Sequence, residues 1–251
     1  MSPLSSSELQ RARARLIFAL HHDSLDEAMA TVHQLRDEVG MFKVGKQLFL
    51  HAGPKIIQLI REAGAEIFLD LKFHDIPATV ANASVEATRL GVLLFNLHAS
   101  GSLEMMRRTV AAVNRVCRTE NLRHPKLLAV TVLTSLSQED LGRVGVAGEV
   151  EDQVVRLARL AQEAGMDGVV ASALEIAPIR AACGEGFLIV TPGIRPEASA
   201  WDDQKRVLTP EEAIRTGADY LVVGRPIQEA ADPVAAARTI VAEIARGLAS
   251  R

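Results

Sequence analysis

No run in this chain approaches the roughly 20 consecutive apolar residues that a membrane-spanning helix requires, and residues 1–15 lack the apolar segment of a secretory signal. Cysteine is nearly as scarce. Cys117 and Cys183 are the two in 251 residues, far apart, in no C-x-x-C pair and in no cluster with histidine, so both are expected to be reduced, small core residues. These absences predict a cytoplasmic protein with no membrane partner. An excess of positive charge is missing as well: the formal net charge is -3 and the isoelectric point is near 6.2. Such a chain offers no broad basic field to a polyanion, which disfavours nucleic acid as a partner. Aromatic residues are sparse at 4%, yet 48% hydrophobic and 24% charged residues are ordinary for a globular chain and argue against disorder.

Several chemistries lack their signatures. The seven histidines are scattered, and the adjacent His21 and His22 cannot both face one way on a strand. No ligand set with metal spacing emerges, and no metal is expected. No serine sits in a G-x-S-x-G elbow and neither cysteine has an evident activating partner, so covalent catalysis is not expected. No G-x-G-x-x-G turn follows the first apolar run, which leaves a doubly wound open sheet without its main support.

What the chain does contain is alternation. Short apolar runs over Leu16 to Leu20, Met41 to Val44, Glu66 to Leu71, Leu93 to Leu97, Leu127 to Leu133, Gly168 to Ala171, Leu188 to Thr191 and Tyr220 to Val223 predict eight strands with helical periodicity between them. Ser24 and Glu27 predict a capping box ahead of a helix whose face carries Leu25, Ala28, Met29, Val32 and Leu35. Asp232 as N-cap and Pro233 at the first helical position predict the last helix, with Val234, Ala237, Ile240, Val241, Ile244 and Leu248 on one stripe. Neither a linker nor a low-complexity block interrupts the pattern. The expected fold is a single-domain (β/α)8 TIM barrel over residues 16–251, preceded by a short amphipathic arm over residues 1–15 that carries Arg11, Arg13 and Arg15.

In such a barrel, functional groups sit at the C-terminal ends of the strands. The third predicted strand ends in Asp70-Leu71-Lys72-Phe73-His74-Asp75-Ile76-Pro77. Side chains two apart on a strand share a face, so Asp70 and Lys72 are expected to project together, with Asp75 following within one turn. Two acids flanking one ammonium keep it charged and placed for delivering a proton to a developing anion. Alone, the pattern also fits a solvated ion pair worth ~0–1 kcal/mol. Lys43, ending the second strand, would point into the same mouth. After the seventh strand comes Thr191-Pro192-Gly193-Ile194-Arg195-Pro196, then a polar stretch through Gln204 that reads as a mobile loop. After the eighth comes Gly224-Arg225, where glycine lets backbone approach a ligand and arginine offers a planar fork for phosphate oxygens. Loops after strands seven and eight are the usual phosphate site of this fold, so a phosphorylated small molecule is implied. His98 ends the fourth strand and receives no role.

These segments, from Phe18-Ala19-Leu20 through Phe42 to Lys46, Phe68 to Pro77, Asn96 to Gly101, Val130 to Ser135, Thr191 to Pro196 and Val223 to Pro226, resemble the bacterial branch of the orotidine 5'-phosphate decarboxylase family over nearly the whole chain. The resemblance implies cofactor-free, metal-free decarboxylation of orotidine 5'-phosphate to UMP, the last step of de novo UMP biosynthesis. It implies Lys72 as proton donor to C6 of the pyrimidine, with Asp70, Asp75 and Lys43 completing an alternating charge network. It further implies that Thr134 contacts the pyrimidine side of the ligand, that Arg195, Gln204, Gly224 and Arg225 line the phosphate end under a closing loop, and that the unit is a homodimer in which Asp75 and Thr79 reach the neighbouring subunit's site. Two positions depart from the family pattern. Where the family's first strand ends Ala-Leu-Asp, with the aspartate accepting from a ribose hydroxyl, this chain has His21; a neutral imidazole can hydrogen-bond but cannot give Lys43 a compensating negative charge. Ser102 stands where relatives often carry glycine. Two other readings stay open: a magnesium-dependent sugar-phosphate decarboxylase or aldolase of the same superfamily, which shares the Asp-x-Lys-x-x-Asp strand, and a catalytically idle nucleotide-binding barrel, motivated by His21.

Overall fold

A computed structural model describes residues 4–196 and 208–251. Eight parallel strands are hydrogen-bonded in sequence order and close into a barrel: β1 Leu16–Leu20, β2 Met41–Gly45, β3 Ile67–Phe73, β4 Leu94–His98, β5 Lys126–Val130, β6 Gly168–Val170, β7 Leu188–Pro192 and β8 Tyr220–Val223. The helices are α1 Ser6–Arg13, α2 Leu25–Leu35, α3 Lys46–Ala52, α4 Pro54–Glu62, α5 Pro77–Arg89, α6 Leu103–Thr119, α7 Gln138–Arg143, α8 Val150–Glu163, α9 Ile176–Cys183, α10 Pro210–Thr216, α11 Arg225–Gln228 and α12 Pro233–Ala249. This is the expected (β/α)8 architecture. No helix among the described residues is long and apolar enough to cross a membrane.

The chain divides into two compact units, residues 1–70 with 191–251, and residues 71–190. In the first, every residue of β1 is buried, as befits a parallel strand covered on both faces. Phe18 of β1 meets Phe42 of β2 edge-on, with ring centroids 6.1 Å apart at 81°. Each fully buried phenylalanine stabilises by roughly 1.5–3 kcal/mol relative to exposure. Residues 6–13 of the expected arm form α1, which has two of its orphan donors satisfied by a Ser5–Glu8 capping box and is docked through the fully buried Ala12. Asp232 caps α12 by accepting from the Ala235 N–H at 3.0 Å, and Ala237, Ile240, Val241 and Ile244 form its buried stripe.

Only half of the capping box predicted for α2 forms. Ser24 accepts from the Glu27 N–H at 3.2 Å, but the Glu27 carboxylate lies 4.0 Å from Nδ1 of His22 instead. His22 also meets the Thr31 hydroxyl through Nε2 at 3.0 Å. Cys117 is buried as expected, whereas Cys183 at the end of α9 is only half-buried; both are free thiols.

In the second unit the ladders from β4 to β5, β5 to β6 and β6 to β7 are continuous, with Asn96 level with Leu128 and Val130 level with Val170. The apolar run Leu127 to Leu133 outlasts its strand, because β5 ends at Val130 and Leu133 already lies on the surface. Ser102 has φ +107°, a region glycine enters freely and other residues rarely. It compensates by capping α6, its hydroxyl accepting from the Met105 N–H at 3.2 Å. That is the physical reason glycine suits this position and the reason serine is tolerated.

Candidate active site

Strand β2 reads Met41-Phe42-Lys43-Val44-Gly45, one charge in an apolar run. Parallel pairing sets Lys43 level with Ala19 and Phe68, and sets Gly45 level with Asp70. Lys43 extends toward the strand ends to meet that aspartate, Nζ to Oδ2 3.1 Å, with 10% and 11% of the two side chains exposed. At an effective dielectric of ~20 the attraction is about 5 kcal/mol before desolvation, which offsets much of it. A buried pair of this kind is poor evidence of stabilisation and better evidence of a placed charge.

His21 is the first residue beyond β1. Its carbonyl accepts from Nε2 of Gln228 at 2.8 Å. Although part of the residue faces solvent, burial of the ring and then the Lys43 ammonium push its pKa down, with Asp70 opposing, so the imidazole is neutral near pH 7. Gly224 runs beside it: a Cβ there would lie 3.3 Å from Ala19 Cβ and 3.6 Å from His21 Cδ2. Arg225 follows at the start of α11. Burial and then repulsion from Arg225 lower the Arg195 pKa, with Glu229 opposing, so the positive charges that follow β7 and β8 are felt by one another, and each guanidinium offers a planar fork to an oxyanion. The first unit thus brings His21, Lys43, Asp70, Gly224, Arg225 and Arg195 into one set of strand ends. Gln204 lies outside the described residues, as does most of the polar stretch expected to form a loop.

The second unit holds the remaining candidates. Lys72 has φ +52°, the left-handed region, which costs an L-residue roughly 1–2 kcal/mol. Strand alternation is a property of extended backbone, so the two-residue spacing from Asp70 does not by itself direct the lysine side chain. The Lys72 N–H donates to Oδ1 of Asn96 at 2.8 Å. Asp75 is exposed, and its Oδ1 accepts from the Ile76 N–H at 2.6 Å. Ile76 is 66% exposed, and Thr79, in the first turn of α5, is exposed too. Thr134 lies on the surface four positions beyond β5 rather than at its tip. His98, the last residue of β4, stacks against His74 with centroids 5.1 Å apart. Among the described residues, no group of three or more His, Cys, Asp or Glu side chains is arranged to hold a metal ion.

Sequence reasoning missed Asn96. The one available signal was a polar residue inside Leu94-Phe95-Asn96-Leu97, where an apolar strand leaves an amide fully buried.

Residues 14–240 match the model of the orotidine 5'-phosphate decarboxylase / HUMPS family. A protein named orotidine 5'-phosphate decarboxylase from Trichlorobacter lovleyi is 56% identical over 237 residues, covering 94% of this chain and 98% of its own. A namesake from Syntrophus aciditrophicus is 56% identical over 239 residues, 94% and 95% of the two chains. The crystal structure of orotidine 5'-phosphate decarboxylase from Lactobacillus acidophilus superposes with a TM-score of 0.81 at 36% identity, covering 91% of this chain and 98% of that one.

Proposed function

The chain belongs to the orotidine 5'-phosphate decarboxylase / HUMPS family, and from that premise we infer that it is a carboxy-lyase converting orotidine 5'-phosphate to UMP and carbon dioxide in UMP biosynthesis. The observation that carries the reading to the residues is the buried Lys43–Asp70 pair, a placed charge at the strand ends of a barrel whose relatives carry this name. In the reaction the bond from C6 to the carboxylate breaks, carbon dioxide leaves, and the electron pair stays on C6. Lys72 delivers a proton to that carbon and is reprotonated from water, so no redox partner enters the balance. An ammonium fixed beforehand where negative charge develops stabilises the transition state more than the ground state.

Arg195, Gly224 and Arg225 are assigned to the phosphate, which arginine forks in the loops after β7 and β8 suit, with Gln204 completing that end. Binding energy collected there, away from the reacting carbon, can be used to hold a closed, water-excluding state. His21 is assigned to the ribose as a neutral hydrogen-bonding group, and Thr134 to the pyrimidine side. The active unit is a homodimer in which Asp75 and Thr79 serve the neighbouring copy's site.

The test is an ultraviolet assay of orotidine 5'-phosphate consumption by the purified protein with a chelator present. Steady loss of substrate absorbance is expected. Loss abolished by the chelator would point to the metal-dependent branch, and tight UMP binding without turnover would point to an idle barrel.

A further inference from the structure

We propose that Asn96 is a positioning residue for Lys72, holding the root of the proposed proton donor in its left-handed turn so that the ammonium is presented from one place. The inference rests on the reading of Lys72 as donor to C6. Asn96 is fully buried in mid-strand between Phe95 and Leu97, both fully buried as well, and an amide in such surroundings persists only against hydrogen-bonding partners. One of those is the Lys72 N–H, 2.8 Å from Oδ1. Phe73, the next residue of the turn, packs edge-on against Phe95, centroids 6.1 Å apart at 63°. Consecutive residues of β3, 72 and 73, are therefore held by consecutive residues of β4, 96 and 95. β4 is itself fixed, with Phe95 level with Leu127 and Asn96 level with Leu128 of β5.

The clamp matters because of what it restrains. Lysine carries its charge on a flexible four-carbon stem, and a left-handed φ of +52° is a conformation that relaxes unless its surroundings hold it. Releasing the amide would let the backbone return to an extended conformation, moving the stem's origin. A displacement of about 1 Å in a reacting group can lower a rate by ~10²-fold. Asn96 is not assigned to the phosphate or the ribose, so its loss should fall on turnover and not on ground-state binding.

The experiment compares kcat, KM and UMP affinity of the full-length chain with those of Asn96→Leu, Asn96→Asp and Lys72→Ala. Asn96→Leu keeps the shape and removes the acceptor; kcat is expected to fall by roughly 30- to 100-fold with KM and UMP affinity within about threefold. Asn96→Asp keeps an acceptor oxygen in place and should recover most of the turnover. An Asn96→Leu enzyme with kcat near the parent value would overturn the proposal. So would parallel losses of kcat, UMP affinity and melting temperature, the pattern of a purely structural residue. If Asn96→Leu does not fold, Asn96→Asp decides alone: turnover as low as that of Lys72→Ala overturns the clamp. Lys72→Ala retaining turnover would remove the assignment of Lys72 itself, a failure distinct from that of Asn96.

Discussion

Replacing Lys43 by methionine tests the buried pair most directly. The ammonium lies 3.1 Å from Asp70 with about nine-tenths of each side chain withdrawn from water. Methionine fills similar space and carries no charge, so the variant leaves a carboxylate buried without this cation. Breaking a buried pair by removing one partner costs about 3–5 kcal/mol. For a chain of this length each kcal/mol moves the melting temperature by roughly 2–4 °C, so a drop of about 6–20 °C is expected, nearer the low end because both groups keep some solvent. Lys43→Met with Asp70→Asn should regain most of the lost melting temperature while remaining inactive. A Lys43→Met protein that melts within about 2 °C of the parent, or a double variant no better than the single one, would refute the argument that these groups are a desolvated, mutually dependent pair.

Two further outcomes bear on the ligand. Arg225→Ala should raise KM for orotidine 5'-phosphate by roughly 10- to 100-fold and leave turnover of a substrate without the phosphate nearly unchanged, read by parallel steady-state assays on both; equal losses on the two would remove Arg225 from the phosphate. His21→Asp should lower KM for orotidine 5'-phosphate by several-fold, since a carboxylate replaces an imidazole that burial and Lys43 keep neutral; an unchanged KM would show that the imidazole recognises the ribose as well as a carboxylate does.

Much of the architecture is legible in the amino-acid sequence, for reasons that are local. Tyr220–Val223 and Leu16–Leu20 are strands over the residues their apolar runs mark out, because a buried parallel strand needs apolar residues on both faces. Asp232 and Pro233 announced α12 because capping is settled within one turn. The run Leu127 to Leu133 misled at its end, since hydrophobicity reports burial and β5 stops where its ladder stops. Glu27 misled because a capping glutamate has competitors, and His22 is one.

The sequence by itself determined that a (β/α)8 barrel would form and that its charged and phosphate-binding candidates would fall at strand ends, because hydrophobic period, caps and turn residues act over a few positions. Only the tertiary structure decided which of those groups meet. Lys43 reaches Asp70 because the parallel register of β2 and β3 sets Gly45, not Lys43, opposite it. Lys72 has φ +52°, outside the extended region from which strand alternation is read, and its N–H is taken by an amide 24 residues away in sequence. No local pattern specifies such an arrangement: the partner is supplied by another strand, and a strained backbone persists only where long-range packing holds it.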